Sequence, residues 1–116
     1  MAQISVLTHD EVVQLDGDQL GALYAQLGEA SADTVVSRAL EELANRLSLI
    51  ERSYYKNDRA ALSKSSKGLI GIADQVGLSG LAQVAGHVSK LASGSDDPAL
   101  AATLARLVRI GDRSLT

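Results

Sequence analysis

The chain contains no cysteine, no tryptophan and no phenylalanine, a single proline, three tyrosines and two histidines among its 116 residues. Without cysteine there can be no disulfide, no thiol nucleophile and no thiolate metal site. With only His9 and His87, a zinc centre would need carboxylates for most of its ligands, so no metal and no cofactor is expected. Basic residues are not in excess either: 11 lysines and arginines face 14 acids, for a net charge of −3. A phosphate-backbone binder normally shows the reverse, so nucleic acid is not expected as a partner. Met1 to Thr8 lacks the cationic start and apolar run of a signal peptide, and no stretch nears the roughly 18 to 20 apolar residues of a membrane span. The expectation is a cytoplasmic protein without membrane contact.

Alanine and leucine, 17 and 18 residues, dominate what is present. Both favour helix, whereas strands suit β-branched and aromatic residues better than alanine. Val36, Leu40, Leu43, Leu47, Ile50 and Tyr54 follow one another at intervals of four and three, with Arg38, Glu41, Glu42, Arg46 and Glu51 between them. That spacing predicts an amphipathic helix over 32–55, with Ser31 as its N-cap. After Asn57 and Asp58, read as turn and cap, Leu62, Ser66, Leu69, Ala73 and Val76 repeat the pattern over 58–76, and Gly77 stops it. Leu81, Val84, Ala85, Val88 and Leu91 mark a third segment, 79–93. A fourth, 98–114, opens at Asp97 and Pro98 as cap and first helical residue, with Leu100, Leu104, Leu107 and Val108 as its stripe. Leu15, Leu20, Leu23 and Leu27 make a shorter piece, about 16–28, closed by Gly28. Thr8 and Glu11 have capping-box spacing ahead of it, with too little apolar sequence beyond to support a helix.

Four amphipathic helices with short connections can hide their stripes only against one another. The expected architecture is one all-α domain over 1–116, an antiparallel up-and-down four-helix bundle with the short N-terminal helix across one end.

The 58–76 segment departs from an optimised helix. Gly68 and Gly71 lie inside it, each costing about 1 kcal/mol relative to alanine. If Leu62, Ser66, Leu69, Ala73 and Val76 face the core, Lys64, Lys67, Gly71 and Asp74 face outward. Close helix packing or the approach of a partner's backbone could explain such glycines. Gly71 is better explained by the approach of a partner's backbone, and the neighbouring Ile70 reads as the exposed centre of a modest docking patch.

These residues resemble the histidine phosphotransfer (HPt) domains of bacterial phosphorelays. In that family an aspartate opens the second bundle helix and a leucine follows four residues later. Next come a small residue, histidine, any residue, leucine, lysine and glycine, and a hydrophobic-glycine pair ends the helix. Asp58, Leu62, Ser66, Leu69, Gly71, Val76 and Gly77 fall at those spacings, and Leu78, Leu81, Val84, Ala85 and Val88 match the next helix. The resemblance covers Val36 to Leu91 closely and Leu15 to Leu115 in outline. Heptad-like spacing alone supplies part of it. A register one turn earlier, with Lys64 at the family's lysine, puts Ala61 at the histidine and Ser65 at the glycine, and fits the following helix less well.

The departures bear on function. Lys67 occupies the phosphoacceptor position and Ile70 that of the accessory lysine. A protonated ammonium has no lone pair with which to accept a phosphoryl group. The resemblance therefore implies a degenerate, non-catalytic module. It would dock a response-regulator receiver or a histidine kinase through Lys64, Lys67, Ile70, Gly71 and Asp74, with Lys67 offering positive charge to a receiver's acidic pocket.

Two alternatives stay open. One is an active phosphotransfer protein using His87. That residue is as far beyond Gly77 as Lys67 is before it, so in an antiparallel hairpin both lie about 15 Å from the turn. The other is a weak homodimer with Ile70 in its seam. His9 is a poorer acceptor in an N-terminal segment. Ser63, Ser65 and Ser66 have no histidine or aspartate arranged as a base. Glu41 and Glu42 read as a solvated face, and Asp96 and Asp97 as a cap. Gly17 and Gly21 have the spacing of a membrane dimer motif in charged surroundings that do not suit it.

Overall fold

A computed structural model describes residues 17–114. It contains five helices: α1 (Gly17–Leu27), α2 (Glu29–Tyr55), α3 (Arg59–Gln75), α4 (Ser79–Ala92) and α5 (Asp97–Ser114). There is no strand among the described residues, and none of these helices is long and apolar enough to cross a membrane. His9, Leu15, and Thr8 with Glu11 lie outside the described residues.

The apolar stripes of α2 to α4 are where the spacing puts them. In α5 Ile110 rather than Val108 joins the core, one turn beyond Leu107 on the same side. Leu27 of α1 is exposed because that helix packs mainly on α2. Leu43, Leu47 and Ile50 of α2 are buried, and Val36, Leu40 and Tyr54 pack against them half-buried. α3 contributes Leu62, Leu69 and Ala73, all at 0% exposure, and α4 contributes Leu81, Val84, Ala85 and Val88. Leu100, Leu104, Leu107 and Ile110 of α5 close the same core. α2 packs on α3, α3 on α4 and α4 on α5, and α2 touches α5 more sparsely. α1 lies against α2 and touches α3, and it buries no residue completely. It is tied to α2 by the Tyr24 hydroxyl, which donates to Asp33 over 2.6 Å. That bond holds the Tyr24 phenol above its ordinary pKa, so it is protonated and donating at neutral pH.

The connections are short because single residues serve two helices. At the end of α2, Asn57 takes the left-handed conformation with φ 59°. Its amide bonds to Tyr54 O and the Asp58 amide to Ser53 O, a double closure of the last turn. Asp58 then caps α3 through a 3.0 Å bond from the Ala61 amide to its carboxylate. At the end of α3 the same motif recurs: Gly77 has φ 79°, and Leu78, whose amide bonds to Ala73 O, is also the N-cap of α4.

Two caps differ from expectation. α2 begins at Glu29, with Gly28 at φ 84° as its N-cap. Ser31 is therefore an exposed residue of the first turn and caps nothing. The reason is that Gly28 ends α1, its amide bonding to Tyr24 O, while its carbonyl starts α2 by accepting from Ala32 N. At α5 the cap is Asp96, whose carboxylate accepts from Ala99 N, so Asp97 and Pro98 are the first two helical residues. The boundary moves by one residue, because the preceding aspartate has the same side chain and reaches the same amides.

Two buried or turn glycines are required for physical reasons. A Cβ on Gly111 would lie 2.5 Å from Cδ1 of the buried Leu47, so α5 approaches α2 there only because the side chain is absent. Gly77 holds a conformation that other residues adopt at a cost. Gly111→Ala should lower unfolding free energy by about 1 to 3 kcal/mol through overpacking. Gly77→Ala should lower it by about 1 kcal/mol. Denaturant titrations followed by circular dichroism measure both.

Candidate functional site

The rotation of α3 follows from its buried residues. Leu62, Ser66, Leu69 and Ala73 are each 0% exposed, at intervals of four, three and four along one side. Ser66, the polar member, is satisfied by its own helix, its hydroxyl donating to Leu62 O over 2.8 Å. Ser65 is also buried, and Ser63 is half-buried with its hydroxyl 3.3 Å from that of Ser89 on α4. Among the described residues, none of these serines bonds to a histidine or carboxylate that could act as a base.

With that side inward, Lys64, Lys67, Gly71 and Asp74 are all exposed, in a single row along α3. A Cβ on Gly71 would meet nothing within 4 Å. The space above it is open, and no packing among the described residues calls for a glycine there. Gly68 differs. A Cβ there would lie 2.6 Å from Nη1 of Arg46, whose guanidinium reaches across from α2 and pairs with Glu42 on its own helix at 3.4 Å. Gly68 thus lets an arginine lie against the α3 backbone.

Ile70 is placed differently from the expected exposed patch centre. It is half-buried and packs against the core. Its Cδ1 reaches α4 beside Gly86, where an added Cβ would lie 3.8 Å away in ordinary contact, so the neighbouring helix covers one side of it. The open surface is therefore the Lys64, Lys67, Gly71 and Asp74 row, with Ile70 forming its partly sheltered flank.

The row is electrically polarised. Neither Lys64 nor Lys67 has a carboxylate partner among the described residues, whereas Arg46 pairs with Glu42 and Arg59 with Asp97. Asp74 sits in the last turn of α3, which carries no basic residue. An acid at a helix C-terminus opposes the macrodipole. The positive half of the row thus lies toward the N-terminus of α3 and the negative end toward its C-terminus.

His87 is exposed on α4. The Ser63–Ser89 contact and the Ile70–Gly86 approach show α3 and α4 running antiparallel, which places Lys67 and His87 at comparable heights. No group of three or more histidines, aspartates and glutamates that could hold a metal occurs among the described residues.

Sequence reasoning did not find Arg59. Its guanidinium donates to Ala92 O at 3.2 Å, reaches Gly94 O at 3.5 Å and pairs with Asp97. One side chain so joins the start of α3, the end of α4 and the start of α5. Arginine beside a cap carried no signal of a partner more than thirty residues away.

No protein-family model, no curated protein and no solved structure matches the chain.

Because nothing meets a Cβ at Gly71, Gly71→Ala should stabilise the protein by about 0.5 to 1 kcal/mol. Gly68→Ala should gain less, since Arg46 must swing away and an exposed pair worth about 0.3 to 0.5 kcal/mol goes with it. Thermal unfolding of the two variants side by side checks this.

Proposed function

We propose that this protein is a non-catalytic, HPt-like signalling module. In this reading α2 to α5 form an up-and-down four-helix bundle, and the exposed row of α3 docks a response-regulator receiver or a histidine kinase. It acts in the cytoplasm of a bacterial two-component system and carries no phosphoryl group itself. The observation that supports it most is the open space over Gly71 in a row that also holds Lys64, Lys67 and Asp74. A glycine that the fold does not need, on an exposed helix face, is explained by the close approach of another backbone.

Lys67 takes the place of the family's phosphoacceptor in this reading, and its ammonium offers an unpaired charge to the acidic pocket of a receiver. The polarity of the row contributes orientation as well as attraction, because a partner docked in reverse would set like charges together. The serial contacts from α2 through α5, with α2 also meeting α5, are what a bundle of this kind requires.

Titration of the protein against the receivers of its own organism tests the docking. Binding is expected, falling at least tenfold in Gly71→Glu, which fills the open space and adds a like charge toward an acidic pocket. No receiver binding, or binding indifferent to Gly71→Glu, overturns the reading. The exposed imidazole of His87 supports a second reading, phosphotransfer through that residue. Incubation with a phosphorylated receiver is expected to leave no acid-labile phosphate on the protein. Stable labelling that disappears in His87→Ala would establish the second reading in place of the first.

A further inference from the structure

The geometry points to an oxyanion site in a shallow hollow where the first turns of α3 meet the end of α4, with a phosphate monoester as its class of ligand. The hollow has a volume of about 450 Å³, and Arg59, Lys64 and Lys67 are three of its seven lining residues. Among the described residues no carboxylate lines it, in a chain whose net charge is −3. Three acids at the ends of α3 and α5 are already engaged: Asp58 accepts from the Ala61 amide, Asp96 accepts from the Ala99 amide, and Asp97 pairs with Arg59.

The end of a helix presents carbonyl oxygens that repel an anion. Here Arg59 covers one of them, Ala92 O, and reaches Gly94 O in the connection beyond. Its role is to neutralise that edge, which leaves Lys64 and Lys67 to bind. They lie three residues apart on one face, carry no partner carboxylate among the described residues, and can converge on one ligand. Two ammonium groups match the charge of a phosphate dianion, about −1.5 to −2 near neutral pH, better than that of a single carboxylate. Ser63 and Ser93 add hydroxyls, while Ala60 and Ala92 give the hollow an apolar part. A bare phosphate ion would leave that part empty, so an ester bearing a compact apolar group fits better.

This inference does not rest on receiver docking, and it can be tested on the protein alone. Amide chemical shifts are followed while ¹⁵N-labelled protein is titrated with phenyl phosphate, with inorganic phosphate and with sodium chloride at matched ionic strength. Saturable shifts are expected at Ser63, Lys64, Lys67 and Ser93, with phenyl phosphate binding at least threefold tighter than inorganic phosphate. The double variant Lys64→Gln, Lys67→Gln should weaken binding roughly tenfold or more, while Lys56→Gln, off the hollow, should leave it unchanged. Shifts that do not saturate, that chloride reproduces, or that persist in the double variant overturn the site. Equal affinity for the two phosphates overturns the ester assignment. A protein that binds a receiver but not phenyl phosphate loses this site and keeps the docking reading, and the reverse result does the opposite.

Discussion

Leu62, Ser66, Leu69 and Ala73 are all removed from solvent, and successive residues of a helix are turned by about 100°, so α3 has one rotational setting available to it. Turning it by a single residue would bring Lys67 toward the core and Ser66 toward water. The cost of burying an unpaired ammonium, several kcal/mol in order of magnitude, forbids that alternative. Everything proposed about the surface depends on this setting. The row of lysines, glycine and aspartate is exposed because the leucines and small residues of the other side fill the interior.

Stability alone does not account for that row. Gly71 lowers helix propensity with no packing need, and Asp74 places negative charge at the wrong end of the macrodipole. Each costs a fraction of a kcal/mol to about 1 kcal/mol, which is appreciable against the 5 to 15 kcal/mol by which domains are usually stable. Gly111 and Gly77 are the contrast within the same chain. There a missing side chain is matched by Leu47 in close contact or by a left-handed turn.

Much of the fold was legible because it depends on period. Intervals of three and four located the helices to within a few residues, and the same arithmetic placed Lys64, Lys67, Gly71 and Asp74 on the outer side. What depends on distant partners was not legible. Ile70 looks exposed from α3 alone, and its packing against the core beside α4 shelters it. Gly68 could be read as close packing, but that its neighbour is the Arg46 guanidinium depends on how α2 crosses α3. The hollow beside Arg59 is likewise a product of three helix ends meeting. Local chemistry also misled where two equivalent residues stood side by side, as with Asp96 and Asp97, or where Gly28 served both helices at once.

Like Gly28 between α1 and α2, two further residues do double duty: Asp58 closes α2 and opens α3, and Leu78 closes α3 and opens α4. Neither hairpin has slack. An inserted residue at either would break one closure or slide two helices out of step, misaligning the interior on both. The Ser93–Asp96 connection has no residue that closes one helix and opens the next and is exposed throughout; Arg59 at Gly94 O is what fixes it, so a longer loop there would strain that tether while leaving the helices in register.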